Sequence, residues 1–112
     1  MLSLVRAAEL FGTPPETTAR LDGAGYSGGA SVLFTRGFHV PSPELHQHEY
    51  SETFVVVSGR VSVTGDGEIV QAGAGDIVVV GPRTPHTFAH LDAGELVMVH
   101  IHANPTIITE WL

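Results

Sequence analysis

His46–Gly59, with the sequence HQHEYSETFVVVSG, decides the fold of this chain. Two histidines are separated by one residue, Glu52 follows four positions after His48, and an apolar, β-branched run then stops at Gly59. Successive side chains of an extended chain alternate faces, so His46, His48 and Glu52 share a parity and can point into one space. Imidazole nitrogen and carboxylate oxygen are ordinary donors for first-row divalent metals, so three candidate ligands face one way. The run from Thr53 to Val57 is rich in residues that suit a pleated surface, which predicts a strand leaving the cluster directly.

The same pattern continues on both sides. Upstream, SVLFTRGFHV (31–40) reads as a strand and PSPELH (41–46) as a proline-broken turn. Downstream, RVSVTG (60–65) alternates Val61 and Val63 with Ser62 and Thr64, GDG (65–67) supplies a hairpin turn, and EIVQAG (68–73) returns. GAGDIVVVG (73–81) is a continuous apolar run between glycines, which predicts a strand buried on both faces. PRTP (82–85) turns the chain, HTFAHL (86–91) extends, DAGE (92–95) turns again, and LVMVHIHA (96–103) is the last strand. Short strands at intervals of about 8–12 residues with Gly, Pro or Asp between them predict an all-β sandwich or barrel.

The ends are less regular. Residues 2–12, LSLVRAAELFG, fit a short helix or a short edge strand, with Gly12 as the stop. TPPETTARLDGAGYSGG (13–29) is a turn-rich lead-in in which TTARL could hold a brief strand, and the tail NPTIITEWL (104–112) has room for one strand or one turn of helix.

With 112 residues, 43% of them apolar, the chain suits one domain with a small core. There is no cysteine, so disulfides and thiolate metal sites are excluded and His, Asp and Glu remain as strong donors. Five basic against twelve acidic residues give a net charge of −7, which would repel a phosphate backbone or an anionic membrane surface. Neither nucleic acid nor membrane is expected as a partner. No apolar run approaches the roughly 18–20 residues of a membrane span, and the start MLSLVRAAEL lacks the features of a secretory signal, so a soluble, cytoplasmic protein is expected. The seven histidines cluster unevenly, with His39, His46 and His48 together and His86, His90, His100 and His102 in the second half.

The run His46-x-His48-x3-Glu52-x6-Gly59 resembles the first motif of the cupin superfamily, and GDIVVVGPRTPH, from Gly75 to His86, is similar to the second. The resemblance covers residues 37–90. It departs from the family pattern at Gly81, where proline is usual, at Arg83, where glycine is usual, and at His90, where asparagine is usual. It implies an all-β, double-stranded β-helix (jelly-roll) barrel: a single cupin domain over 1–112, with a lead-in and N-terminal arm at 1–30, the barrel at 31–104 and a C-terminal tail at 105–112. It also implies that His46, His48, Glu52 and His86 hold one divalent transition metal per chain, drawn from Fe, Mn, Ni, Cu, Co or Zn. Such a donor set leaves positions open in a five- or six-coordinate ion, and open positions permit chemistry.

Parity extends the site. If 86–90 is extended, Phe88 and His90 share a face with His86 and can line the cavity. Phe54 has the parity of Glu52 and is a better candidate for an apolar wall than Phe38. Tyr50 lies in a turn between two ligands and joins the candidate pocket. On the last strand Met98 and His100 are expected to face inward, because Val97, Val99 and Ile101 would pack well against another surface, such as a second subunit. His100 is then a fifth donor, a substrate contact or a general base, its ordinary pKa near about 6.5 allowing proton transfer at neutral pH. His102 is expected at the rim, and Arg83 either clamps an anionic substrate or is a solvated turn residue.

A metal-dependent enzyme acting on a small organic molecule is therefore the leading expectation, with a dioxygenase or other oxidoreductase placed first by family frequency. An isomerase, lyase or cyclase using the ion as a Lewis acid, a non-catalytic ligand-binding or sensor module, and a mostly structural interaction protein are the alternatives. No motif encodes a nucleotide, flavin or nicotinamide site. A homodimer is expected, since exposed sheet edges invite association.

Overall fold

Among the described residues ten strands carry the structure: β1 (Thr18–Leu21), β2 (Ser31–Gly37), β3 (His46–Gln47), β4 (Glu52–Ser58), β5 (Arg60–Gly65), β6 (Glu68–Gly73), β7 (Ile77–Val80), β8 (His86–His90), β9 (Leu96–His102) and β10 (Glu110–Trp111). They are joined by one short helix, α1 (Ala7–Phe11), and a 3-10 turn at Gly23–Tyr26. The computed structural model describes residues 1–12 and 17–112. Residues 13–16 of the turn-rich lead-in lie outside the described residues.

The strands form two antiparallel five-stranded sheets, ordered β1-β2-β9-β4-β7 and β10-β3-β8-β5-β6. This is the expected all-β, jelly-roll architecture. Both irregular ends take part: TTARL contributes β1 to one sheet, and the tail contributes β10, which pairs Trp111 with His46 in the other. Of the two alternatives for residues 2–12 the helix forms, and Gly12 ends it at φ 79°, a conformation favourable to glycine.

The turn chemistry explains the register. The β5–β6 hairpin closes over Asp66 and Gly67, both at positive φ (51° and 83°), as a two-residue turn that matches strand twist requires. Gly59 leaves β4 at φ 80°, and a Cβ there would stand 2.6 Å from the carbonyl oxygen of Glu95. No other residue fits that turn without moving the backbone.

The two inner faces enclose one core, with Phe54, Val56, Leu96 and Met98 from the first sheet against Val61, Val63 and Phe88 from the second. Alternation places Glu52 on the same inner face as Phe54 and Val56. On β9, Leu96, Met98, His100 and His102 are buried while Ile101 faces outward, so the expected inward placement of Met98 and His100 is what the fold shows. Arg20, Leu33, His100, Phe54 and Val78 lie in one cross-strand row of that face.

Three expectations need correction. The run Ile77–Val80 is not buried on both faces: Ile77 and Val79 are 62% and 66% exposed, because β7 is an edge strand with its outer face uncovered. Phe38 is exposed and forms no wall with Phe54. His102 is not at the rim but 3% exposed, since it shares the inner face with His100. Among the described residues no helix is long and apolar enough to cross a membrane.

Candidate metal centre

Three local features bring the donors together. His46 sits on β3 directly across from His86 on β8, Glu52 is the first residue of β4, and His48 lies between β3 and the bend at 49–50. One donor atom from each of His46, His48, Glu52 and His86 lies within 4.8 Å of the others, and all four residues are buried.

Backbone carbonyls fix the three rings. The Nδ1–H groups of His46, His48 and His86 donate to the carbonyls of Glu44 (2.7 Å), Ile108 (2.8 Å) and Thr84 (2.8 Å). Each Nε2 is thereby left as the lone-pair nitrogen and turned toward the centre, as in metal-binding histidines generally. Nε2 of His48 and of His86 stand 3.1 Å and 3.0 Å from Oε1 of Glu52. Lone pairs of imidazole and carboxylate repel at that distance unless a proton or a cation lies between them. His48 Nε2 is buried and makes no hydrogen bond, so it is an acceptor without a donor. A buried N₃O set of this kind fits a single divalent transition metal ion.

The second oxygen of Glu52 is held separately. His100 Nδ1–H donates to Oε2 at 3.1 Å, and the Thr35 hydroxyl donates to His100 Nε2 at 3.0 Å. His102 Nε2 lies 3.3 Å from the same oxygen, the Tyr50 hydroxyl donates to His102 Nδ1 at 2.8 Å, and Ile108 N–H donates to the Tyr50 oxygen at 3.1 Å. Two chains of polar contacts thus converge on Oε2, leaving Oε1 to face the Nε2 atoms of His48 and His86.

Electrostatics follow from this packing. Burial alone would raise the Glu52 carboxyl, but the imidazoles of His100, His102, His48 and His86 outweigh it and hold the group well below the usual carboxylate range. Burial also acts first on His46 and pushes it down, with the Glu44 carbonyl only partly opposing. For His48 burial is again the largest influence, yet Glu52 and the Ile108 carbonyl together exceed it and raise the ring.

A cavity of about 360 Å³ opens above the cluster, lined by His46, His48, Glu52, Phe88 and His100 among others. Of the sequence candidates, Phe88 and His100 reach this cavity. Phe54 lies just behind, edge-on to His100 at 4.8 Å between ring centres, and Met98 is fully buried in the core. His90 is not brought to the cavity: Val40 N–H donates to its Nδ1 (3.4 Å) and its Nε2–H donates to Gly94 (2.8 Å), in a separate hollow with Phe38 and Asp92. Tyr50 does not line the cavity, and its phenol instead ties His102 to Ile108. Burial raises that phenol first, partly opposed by the Ile108 backbone. Arg83 is exposed beside Glu49 at 3.4 Å.

Sequence reading missed the parts supplied by distant segments. Thr35, Ile108 and Trp111 belong to the site, Trp111 through its ring 5.1 Å from His46. His102 carried the right parity but was assigned to the wrong depth.

A family model described as "Cupin domain" matches residues 38–102. No curated protein matches the chain. Among solved structures, oxalate decarboxylase from Bacillus subtilis at pH 4.6 is similar with a TM-score of 0.75 at 20% identity, over 85% of this chain and 27% of that one. A study of the Mn(II) centers of the same enzyme gives 0.74 at 20% identity, over 85% and 27%. The formate complex of the Lactobacillus farciminis enzyme gives 0.75 at 19% identity, over 85% and 30%. This chain therefore spans under a third of the length of those proteins, and at such identity the likeness is one of fold.

Proposed function

The chain belongs to the cupin domain family, and on that footing we propose that it is a metal-dependent enzyme acting on a small organic molecule, with the ion held by His46, His48, Glu52 and His86. The observation that carries this reading is the buried, partnerless Nε2 of His48 beside Oε1 of Glu52. When bound, a divalent transition ion supplies Lewis acidity and, if redox-active, electron transfer at positions the four donors leave open. The chain's own residues do the rest. The carbonyls of Glu44, Thr84 and Ile108 hold the rings in one tautomer, His100 and His102 hold Glu52 to a single facing oxygen, and the apolar wall keeps water from the bound substrate.

Within this reading a dioxygenase-type oxidation ranks first. Both ring nitrogens of His100 and of His102 are engaged, so neither offers a free lone pair for proton abstraction, and a reaction that begins with O₂ needs none. The second reading is Lewis-acid chemistry of the lyase, isomerase or cyclase kind, in which His100 serves as the base only once the Thr35 hydroxyl gives up its bond to Nε2. It is favoured by the position of His100 in the cavity wall and by the fold neighbours, which are oxalate decarboxylases. A binding or sensor module would hold a ligand without turning it over.

The test is O₂ consumption by purified protein offered aromatic, enol and thiol substrates, repeated with His46→Ala and His86→Ala. Consumption that disappears in both variants supports the oxidative reading, oxygen-independent turnover supports the lyase reading, and turnover that survives both substitutions overturns the metal mechanism. We also propose a homodimer formed through the uncovered outer face of β9, β4 and β7. Ile101, Thr53 and Val79 there lie in one cross-strand row and Val99, Val55 and Ile77 in the next.

A further inference from the structure

The proposed metal reading leaves the substrate open, and the wall of the cavity narrows it. Leu33, Val40, Pro43, Phe88, Ile107 and Trp111 give that wall its apolar side chains, beside the hydroxyls of Thr18, Ser42 and Thr109. Water leaves such surfaces readily for an apolar ligand, while a second charged head on the ligand would be stripped of water with only hydroxyls to receive it.

The charges are as informative as the apolar area. Among the described residues of the wall Arg20 is the only lysine or arginine, two strands away from His100 on the same sheet face. Its guanidinium is already paired: Nε and Nη2 donate to the two carboxylate oxygens of Asp22 at 3.3 Å and 3.1 Å, and Nη2 also donates to the Ile107 carbonyl at 3.1 Å. The Ile107 N–H, ahead of Arg20, holds the Asp22 carboxyl below its usual range, so the pair stays ionised and neutral as a whole. Glu52 is the only carboxylate among the described wall residues. A divalent ion with Glu52 therefore carries one net positive charge, which a single anionic head balances and a dianion overshoots.

We infer that the cavity takes a compact, mainly apolar molecule with one anionic oxygen head directed at the metal centre, such as an aromatic monocarboxylate. The inference rests on the metal reading above. It sets this chain apart from a small dicarboxylate site, where the second negative charge calls for an unpaired cation in the wall.

The experiment is calorimetric titration of metal-loaded protein with benzoate, benzyl alcohol and oxalate, with emission of Trp111, the single tryptophan of the chain, as a second channel. Benzoate should bind about tenfold or more tightly than either of the others. Leu33→Asn should weaken benzoate by a similar factor while leaving metal content unchanged. Oxalate binding as tightly as benzoate, benzyl alcohol matching it, or no binding by any of the three to protein carrying one equivalent of metal would overturn the substrate class alone. Protein that retains no metal by elemental analysis contradicts the metal reading itself, and this inference with it.

Discussion

His100 donates its Nδ1–H to Oε2 of Glu52 at 3.1 Å, and the carboxylate's other oxygen stands 3.1 Å and 3.0 Å from the Nε2 atoms of His48 and His86. The ligand and the residue that orients it come from adjacent strands of one sheet, so this pair is fixed by sheet register rather than by loop conformation.

If His100 acts through Glu52, removing it should loosen the metal. His100→Ala leaves a buried carboxylate oxygen short of a donor, at a cost of about 1–3 kcal/mol in urea unfolding of the metal-free protein. Metal affinity measured by chelator competition should fall roughly 10–100-fold, with His100→Gln recovering part of it and Tyr50→Phe showing a smaller loss through His102. A fall in turnover with metal affinity unchanged would instead assign His100 to proton transfer.

The pH dependence has opposite signs for the two partners. Glu52, held below its usual value of 4.5, contributes stability that is present above that pH and is lost only as pH falls toward its depressed folded value. His48, raised above 6.5, contributes stability to the metal-free protein that is present below 6.5 and is lost as pH rises through its folded value. Metal needs that ring neutral, so the rise in Tm on adding metal should grow between about pH 5.5 and about pH 8. Differential scanning calorimetry with and without metal measures it, and a gain that shrinks over this range contradicts the assignment of His48 as a ligand.

Association through the outer face of β9, β4 and β7 predicts that Ile77→Lys with Val79→Lys yields a monomer. Both residues are more than half exposed, so folding should be nearly unaffected. Light scattering checks the mass, and an unchanged dimer in the double variant, or a monomeric parent, removes this face from consideration.

Much of this was legible from local pattern. Parity put His46, His48 and Glu52 on one side and Met98 with His100 on one face of β9, because alternation in a strand survives whatever packs against it, and the β-branched Val97, Val99 and Ile101 chose which face was inner. His86 needed the family resemblance, since the turn at 82–85 gives no periodicity to follow. The unbroken run at Ile77–Val80 misled because a strand without alternation reads the same at a sheet centre and at an uncovered edge. The Tyr50–His102 and His48–Ile108 bonds join positions more than fifty residues apart, and no short-range signal encodes them.

The central claim is that His46, His48, Glu52 and His86 hold one metal ion. Elemental analysis of protein purified without a histidine tag tests it most directly, with His46→Ala and His86→Ala measured alongside. The account predicts about one divalent transition metal ion per chain in the parent protein and little in either variant. A well-folded parent that carries no metal and takes up none on reconstitution, or variants that retain a full equivalent, would contradict it.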